Sequence, residues 1–515
     1  MSNKRRTQFW RAPWRSDLLL SLAAAVGLFL VLQATPDIPG GDDGYRHVKF
    51  AYRLIRDPYS ALSDPWKVLY FWPRPMDAWF GYHVLLAPVT LALGLIESAK
   101  AVAAGVYGAL AFVLLTTLRH LDVLWRKAWV VLAISGSGIV LYRATLGRPF
   151  LLSIVLVLAV AYFTLRENSW AVAITSVAHG LSYSMFFMAV FAPAMYLLIR
   201  RDKTALKLLA ASLAGIAVGL ALNPTAPENL RFDVTDLFST LTLGLRLTME
   251  LEPLNMEWVN PSWPILAVWV FSLGIAVWRR RSERLPAATQ LLLAMSLAGF
   301  ASSIRVGRMF DYFVPLATLC AAVVVAPWVA AGNRKRTDAA AAATVLIALC
   351  GLNVFAVCRA LPRAPAASRF RGAAEYLMAN DPRALVFNTQ WEQYPFLYFW
   401  NSQNTYLTGI ESSIMFVRDR PRFWLWRHIA NDEPQTCREL KCTAANAQSI
   451  PATLAEFGAE FVLVEHDKNA RLIGILRDTP GASEPYRDPA CSVFRLTRGF
   501  EMQPIARSRA LPPTP

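Results

Sequence analysis

Long apolar stretches recur along this 515-residue chain as far as about residue 358, and short basic clusters separate them. The first stretch, 17–35, is apolar after its first residue and is long enough to cross a bilayer core of roughly 30 Å. Only 17% of the residues are charged, against about 25% in a typical soluble domain. We therefore predict a polytopic membrane protein and not a soluble enzyme.

Hydropathy predicts eleven transmembrane helices, four of them shorter than a full span. The apolar segment 81–96 contains His83 and Pro88, and we expect it to lie in the outer interface or to be re-entrant. The predicted spans are 17–35, 101–118, 128–143, 150–165, 170–180, 183–199, 204–222, 263–278, 286–304, 312–331 and 339–358.

Charge fixes the predicted orientation. With the N-terminus inside, every inner loop is basic, as the positive-inside rule requires; these loops are RHLDVLWRK, REN, RRDK, RRRSER and GNRKR. Counting 81–96 as a span would place RHLDVLWRK outside. The net charge of +16 is thus explained by orientation, and nucleic acid is excluded as a partner. No small-residue cleavage site follows the first stretch, so we expect no cleavable signal peptide.

The chain after the last predicted span has the composition of a soluble domain. We predict a transmembrane domain over 1–358 and a soluble α/β domain over 359–515, with strands in ALVFN (384–388) and FVLVEHD (461–467). Cys437 and Cys442 are five apart, a spacing that permits a disulfide in an oxidising periplasm. A zinc site there would need more ligands than the neighbouring sequence offers.

Two adjacent carboxylates, Asp42 and Asp43, follow the first span. Paired acids at a membrane surface are costly to keep ionised unless a cation or a catalytic role accompanies them. Asp43 and His47 are four apart, which places them on one face at the start of an amphipathic helix. Two interpretations stand: the acids cap this helix, or one of them is a general base or a metal ligand.

Four arginines lie at the outer ends of the predicted spans. Arg143 and Arg148 flank the turn YRATLGRPF, and Arg305 and Arg308 stand in SIRVGRMFDYFVP. An arginine at a membrane interface suits a phosphate, because its planar fork matches phosphate geometry. Snorkelling, or a pair between Arg308 and Asp311, is the structural alternative. For His179, in AHGLSYS, a site-facing and a structural interpretation both stand.

The order of these motifs resembles the GT-C superfamily of membrane glycosyltransferases, and within it the catalytic subunit of oligosaccharyltransferases. The resemblance is carried by GDDGYRHVKFAYRL after the first span, a long first outer loop with Trp66 and Trp72, YRATLGRPF, and RMFDYFVPLATLCAAVVVA (308–326). It implies a GT-C-like fold: an α-helical polytopic membrane protein of about eleven transmembrane helices with a C-terminal α/β periplasmic domain.

The resemblance also implies an activity and roles for residues. A sugar or glycan would pass from a polyprenyl-phosphate or pyrophosphate donor to a glycan, lipid or protein acceptor at the periplasmic face of a bacterial inner membrane. Asp42 or Asp43 would be the catalytic carboxylate, and Arg308 would contact the lipid phosphate. Glu250 or Glu252 would be the acid of the late outer loop that positions acceptor or metal.

Two departures from the family pattern qualify these expectations. The turn GRPF has Arg148 where oligosaccharyltransferases carry a second acidic motif, so a divalent metal (Mg²⁺ or Mn²⁺) is left open. The family's acceptor motif appears as QWEQYP (390–395), with Trp391, so an Asn-x-Ser/Thr acceptor is not supported.

Three rival functions are open. One is an oligosaccharyltransferase-like protein glycosyltransferase with a diverged acceptor site, and another is a non-catalytic scaffold. The third is a transporter of lipid-linked sugars, against which the absence of an internal sequence repeat argues.

Overall fold

A computed structural model describes residues 13–40, 43–242, 252–281, 283–331, 336–363 and 365–497. Asp42 and Glu250, two of the predicted site residues, lie outside these ranges. The chain forms two compact units. The first comprises Met1–Gly40, Asp77–Asp233 and Arg246–Ala364, and the second comprises Gly41–Met76, Val234–Leu245 and Pro365–Pro515. The domain division predicted at residue 358 stays a prediction.

The first unit is built from helices. A helix overlaps each of the eleven predicted stretches, and the segment 81–96 is also helical. The helices are Pro13–Leu32, Phe80–Leu93, Leu95–His120, Arg126–Ser135, Gly138–Ala144, Pro149–Leu165, Ser169–Ser182, Met188–Arg200, Lys203–Leu222, Met256–Val259, Trp263–Arg280, Ala287–Arg305, Phe310–Ala331 and Arg336–Ala360, while Glu228–Thr242 spans the division between the units.

Length and hydropathy mark many of these helices as membrane spans. Among the described residues, seven helices are long and apolar enough to cross a membrane. An eighth results if Arg126–Ser135 and Gly138–Ala144, which meet at a 78° bend, form one broken span. Three shorter apolar helices are Phe80–Leu93, Pro149–Leu165 and Met188–Arg200. The helical membrane class is confirmed, and the count of eleven spans stays a prediction.

Capping residues begin helices of this unit, and a glycine allows two of its helices to pack closely. Asn168 and Asp202, in the segments REN and RRDK, accept hydrogen bonds from Ala171 N and Ala205 N and so begin the next helices. On Lys203–Leu222, a Cβ on Gly219 would come within 2.4 Å of the Val177 carbonyl oxygen. Glycine therefore lets this helix approach Ser169–Ser182 closely, as small residues do between membrane helices.

The second unit contains a five-stranded mixed sheet. Its strands are β1 (Leu385–Asn388), β2 (Thr405–Tyr406), β3 (Phe461–Glu465), β4 (Ala482–Arg487) and β5 (Cys491–Leu496), in the order β2-β1-β3-β5-β4. β1 pairs in parallel with β2 and β3, and β5 pairs antiparallel with β3 and β4. Every residue of β3 is buried, whereas β4 alternates as an edge strand does. Both strands predicted from the sequence are confirmed.

Helices surround this sheet, and a segment between the helices Pro58–Ser63 and Phe80–Leu93 extends it. The helices are Asp43–Arg56, Pro58–Ser63, Arg371–Asn380, Tyr394–Trp400, Ser412–Arg418, Arg420–Ala430, Ile450–Phe457 and Ala470–Arg477. Tyr406 N donates to the Lys67 carbonyl at 2.8 Å, and Leu69 N donates to the Tyr406 carbonyl at 2.9 Å. Residues 67–70 thus run beside β2. The predicted disulfide between Cys437 and Cys442 is present.

Candidate active site

Asp43 begins the helix Asp43–Arg56 and is held by an arginine one turn later. Arg46 Nε donates to Asp43 Oδ1 at 2.6 Å. The Arg46 side chain is 3% exposed and also lies over the Trp66 ring at 5.3 Å, whereas the Asp43 side chain is 21% exposed. One predicted catalytic carboxylate is therefore fixed by a buried cation while part of it stays accessible.

Aromatic side chains of the C-terminal segment fix this helix within the second unit. The Tyr45 ring lies 5.2 Å from the Phe396 ring, between centroids. Arg53 Nη1 donates to Tyr398 Oη at 2.6 Å and to the Pro65 carbonyl at 3.0 Å. The helix that carries Asp43 is thus positioned by residues about 350 places later in the sequence.

The helix that begins at Asp43 also carries several basic residues after this acid. Lys49 is largely buried; burial lowers its pKa, and the neighbouring Arg53 guanidinium lowers it further. His47, predicted to share a face with Asp43, is 1% exposed, and its ring meets the Trp66 ring edge-on at 6.5 Å. Burial of His47 favours a packing role over direct contact with a substrate.

In the first unit, Arg143 pairs with Asp311. Arg143 Nε donates to Asp311 Oδ2 at 2.7 Å, and the two side chains are 6% and 0% exposed. The guanidinium lies 4.6 Å from the centre of the Phe150 ring and 5.4 Å from that of Trp258. The sequence interpretation considered Arg308 as the partner of Asp311 and missed this pair.

His179 belongs to a buried hydrogen-bonded chain that reaches the same helix start. His179 Nε2 lies 2.7 Å from Ser153 Oγ, which lies 2.7 Å from Tyr312 Oη. Tyr312 directly follows Asp311. Two side chains that the sequence singled out separately, Arg143 and His179, therefore converge on the beginning of the helix Phe310–Ala331.

Glu252 and Arg308 lie on neighbouring segments of the first unit. Gly307 N donates to the Glu252 carbonyl at 2.7 Å, and Leu254 N donates to the Ser303 carbonyl at 3.2 Å. A Cβ on Gly307 would come within 3.0 Å of that Glu252 oxygen, which explains the glycine. Arg308 is half-buried and Arg305 is exposed.

The turn that carries Arg148 packs against the chain just before the acidic motif. Gly40 has φ +82°, and a Cβ there would overlap the Leu146 side chain. Tyr82 Oη donates to the Gly147 carbonyl at 2.7 Å, which anchors the turn. Arg148 itself is half-buried and directly precedes the helix Pro149–Leu165.

A buried carboxylate–imidazole pair was missed at the sequence level. Asp77 Oδ2 lies 2.7 Å from His83 Nδ1, and both side chains are fully buried. Asp77 Oδ1 also accepts from Trp79 N at 3.0 Å, and Asn223 Nδ2 donates to the Asp77 carbonyl at 2.8 Å. An aspartate just before an apolar helix was the available signal, because that is a capping position.

Trp391 lies in the second unit, in a turn after β1. The turn Trp391–Gln393 is closed by a reciprocal side-chain cap between Gln390 and Gln393. Gln393 Nε2 donates to Glu465 Oε2 at 3.2 Å, and the exposed Glu392 pairs with Lys468 at 2.6 Å. Trp391 itself is half-buried.

Asp43 and Glu252, the predicted acids that the structure describes, are not part of a recognisable metal site within the described residues. In that part of the chain, the one group of three side chains of suitable type and spacing is His428, Cys437 and Cys442. Asp43 and Glu252 belong to no such group, and one oxygen of Asp43 already accepts from a guanidinium. We therefore assign no chemical step to a metal at these acids.

Comparison with known proteins identifies the fold. The oligosaccharyltransferase of Archaeoglobus fulgidus in its apo form matches 89% of this chain and 70% of its own, with 11% identity and a TM-score of 0.58. ArnT from Cupriavidus metallidurans matches 92% of this chain and 97% of its own, with 13% identity and a TM-score of 0.54. This chain has a GT-C-like fold, as the sequence predicted.

Other structures of these two neighbours contain ligands. The archaeal enzyme has been solved with an inhibitory peptide and a dolichol-phosphate, and with Zn and sulfate. ArnT has been solved bound to undecaprenyl phosphate. No family model matches the sequence. No curated protein matches it either.

Proposed function

We propose that the protein is a glycosyltransferase that moves a sugar or glycan from a polyprenyl-phosphate or pyrophosphate donor to an acceptor. The observation that carries the proposal is the arrangement around Arg308 in a chain of this fold. The backbone of Glu252 is bonded to Gly307, so an acidic and a basic residue lie on adjacent segments beside a membrane helix. The neighbours bound to dolichol-phosphate and undecaprenyl phosphate support a lipid phosphate as the ligand.

The proposed reaction is a displacement at the anomeric carbon. The acceptor atom forms a bond to that carbon while the bond from carbon to the phosphate oxygen breaks, and the electron pair leaves with the lipid phosphate. The acceptor's proton passes to Asp42 or Asp43. Positive charge develops on the sugar and negative charge on the phosphate, and the enzyme gains rate by stabilising both in the transition state.

We propose roles for the remaining site residues from the resemblance and from their exposure. Arg308 binds the leaving phosphate, and the half-buried Arg148 and exposed Arg305 are further phosphate ligands. Glu252, or Glu250, positions the acceptor. Because Arg143 is enclosed by Asp311 and two aromatic rings, we assign it a positioning role and not a direct contact with phosphate.

The proposed cellular setting is a bacterial inner membrane, with the N-terminus cytoplasmic and the C-terminal unit periplasmic. The basic inner loops and the Cys437–Cys442 disulfide support it. Alkaline phosphatase fused after residue 497 should be active in the periplasm, whereas a fusion after residue 202 should be inactive. The opposite pattern would reverse the topology.

Transfer by purified protein tests the function. Donor lipids extracted from cells would be offered with lipid acceptors and, separately, with peptides containing Asn-x-Ser/Thr. We expect wild type to transfer, and Asp42→Asn or Asp43→Asn to lose about 10²–10⁴-fold, the usual contribution of a general base. Glu375→Gln, an exposed acid of the second unit, is the matched control and should keep full activity.

Three further outcomes bear on the rival functions and on the metal. Activity on the peptide alone would favour a protein glycosyltransferase, and loss of activity in EDTA would introduce a metal. Absence of transfer by every form, with donor lipid still bound, would favour a transporter or a scaffold.

A further inference from the structure

The second unit contains a compact group of three potential metal ligands that the proposed reaction does not use. His428 lies in the last turn of the helix Arg420–Ala430, and Cys437 and Cys442 lie in the loop that follows. The ligand atoms of all three lie within 4.8 Å of one another. We call this group the His–Cys cluster. His428 and Cys437 are buried and Cys442 is half-buried, so the cluster is shielded and has one accessible side.

The distances within the cluster suit a tetrahedral metal. His428 Nε2 lies 3.3 Å from Cys437 Sγ and 3.5 Å from Cys442 Sγ. With Zn–S bonds of about 2.3 Å and Zn–N bonds of about 2.0–2.1 Å, tetrahedral geometry separates nitrogen from sulfur by about 3.6 Å and the two sulfurs by about 3.8 Å. The nitrogen–sulfur distances thus already match, and only the two sulfurs must move apart, which requires the disulfide to open.

The backbone would keep the sulfurs near His428 after the disulfide opens. Thr436, the neighbour of Cys437, exchanges two backbone hydrogen bonds with Gln448, at 3.0 and 2.8 Å. Thr443, next to Cys442, is held by Asn446 Oδ1 at 2.7 Å. The base and the tip of the loop are therefore fixed by bonds that do not depend on the disulfide.

Glu433 would orient the imidazole for metal binding. His428 Nδ1 lies 2.8 Å from Glu433 Oε2. Metal-binding histidines commonly donate their second ring N–H to a carboxylate, which fixes the ring and makes the ligating nitrogen a better donor to the metal. His428 Nε2 also lies 2.8 Å from the Glu439 carbonyl, and it would give up this contact when it binds the ion.

We propose that His428, Cys437 and Cys442 form a redox-controlled zinc site, closed as a disulfide and able to bind one Zn²⁺ when reduced. A dithiol reductant supplies two electrons and two protons, so the sulfur–sulfur bond breaks, two thiols form and the reductant becomes a disulfide. Zn²⁺ then binds both sulfurs as thiolates and His428 Nε2, and two protons pass to solvent. Water fills the fourth position. Thiolate and imidazole ligands together favour Zn²⁺ over hard cations such as Mg²⁺.

Metal binding by the full-length protein in detergent tests the proposal. The protein would be reduced with a phosphine, freed of reductant under anaerobic conditions and titrated with Zn²⁺ and with Co²⁺. We expect one ion per reduced chain and, for Co²⁺, the charge-transfer absorption of a thiolate-bound ion. The oxidised protein should bind none. Equal binding by oxidised and reduced protein would overturn the proposal.

Variants separate this site from adventitious binding. Cys437→Ser with Cys442→Ser should abolish the thiolate absorption, whereas Cys491→Ser, which removes another buried thiol of the same unit, should leave it unchanged. Because a ligand variant could disturb folding, Glu433→Gln gives a milder test: it keeps all three ligands and should weaken Zn²⁺ binding by about 10–100-fold. Wild-type affinity in Glu433→Gln, or thiolate absorption surviving in the double serine variant, would contradict the assignment.

Discussion

Each unit contains an aspartate–arginine pair of nearly the same length, but the two pairs differ in their access to solvent. Arg143 and Asp311 of the first unit are 2.7 Å apart and almost completely buried. Arg46 and Asp43 of the second unit are 2.6 Å apart, yet the carboxylate is 21% exposed. The charges of a buried ion pair must find their partners inside the protein, and such a pair contributes mainly to structure. A carboxylate that is partly exposed to solvent can also act on a substrate. Distance alone therefore does not identify a catalytic acid.

The largest expected loss of stability comes from breaking the buried pair between Arg143 and Asp311. Asp311→Asn leaves the Arg143 guanidinium buried without its counter-charge, and loss of one partner from a buried ion pair costs about 3–5 kcal/mol. Thermal unfolding of the detergent-purified protein measures the loss. The matched control is Asp43→Asn, which removes the partly exposed carboxylate of the other pair and should cost less, because solvent already screens that carboxylate.

A double variant sharpens that test. Arg143→Met together with Asp311→Leu removes both charges, and such replacements are often neutral or stabilising. Recovery of wild-type stability by the double variant would confirm that the single variant suffers from an uncompensated charge. If Asp311→Asn does not unfold at a lower temperature than Asp43→Asn, burial does not make the Arg143–Asp311 pair more important for stability than the Arg46–Asp43 pair.

Arg308 and Arg305, the proposed phosphate ligands, also differ in their exposure. Arg308→Gln should lower the rate of sugar transfer by about 10²–10³-fold, because removing one group that stabilises developing negative charge has about this effect. Arg305→Gln, at the exposed end of the preceding helix, should lower it far less. Initial rates at saturating donor lipid measure both. Equal losses would indicate a general electrostatic effect of positive charge and not a specific contact of Arg308.

Arg53 tests how firmly the helix of Asp43 is held. Arg53→Gln removes charged hydrogen bonds to Tyr398 and the Pro65 carbonyl, each worth about 1.5–3 kcal/mol. We expect earlier thermal unfolding and weaker protection of residues 43–56 from hydrogen exchange. The control is Arg56→Gln, whose guanidinium lies over the Tyr52 ring at the surface. Unchanged protection in Arg53→Gln would mean that the aromatic contacts suffice.

The smallest expected effect on stability comes from the partly exposed ion pair between Arg477 and Glu484 of the second unit. The Arg477 side chain holds the pKa of Glu484 below its usual value of 4.5. A lowered carboxyl pKa adds stability that is complete above pH 4.5 and is lost as the pH falls through the folded-state pKa. Solvent screens this pair, so the contribution is about 1 kcal/mol or less.

Unfolding of wild type and Glu484→Gln between pH 3 and 7 measures this contribution. The two curves should converge at the acid end, where the wild-type carboxyl is also neutral. A difference that persists at low pH would assign the effect to packing and not to charge.

Sequence patterns predicted the local features of the molecule well. Apolar length located the helices, because a membrane span needs a long continuous stretch. Two buried runs located β1 and β3, and cysteine spacing indicated the disulfide. Each of these signals lies within a few neighbouring residues, so one chain read from end to end is sufficient to find it.

The sequence did not predict which distant residues pair with each other. Arg143 and Asp311 are 168 positions apart, and Arg53 and Tyr398 are 345 apart. Nothing in either local segment selects the partner, because burial and helix packing decide which charges meet. For the same reason Asp311 was weighed against the nearby Arg308, and the His428 ligand of the His–Cys cluster was not recognised beside CRELKC.

The contacts between residues 43–76 and the C-terminal segment have a consequence for biosynthesis. Tyr398 and Tyr406, which bind the loop behind Asp43, leave the ribosome only after the predicted spans have been made. The helix of the acidic motif thus lacks these contacts during most of translation. A chain truncated before residue 398 can insert its apolar helices but cannot complete the surroundings of Asp43. Assembly of the acidic motif therefore depends on synthesis of the C-terminal segment.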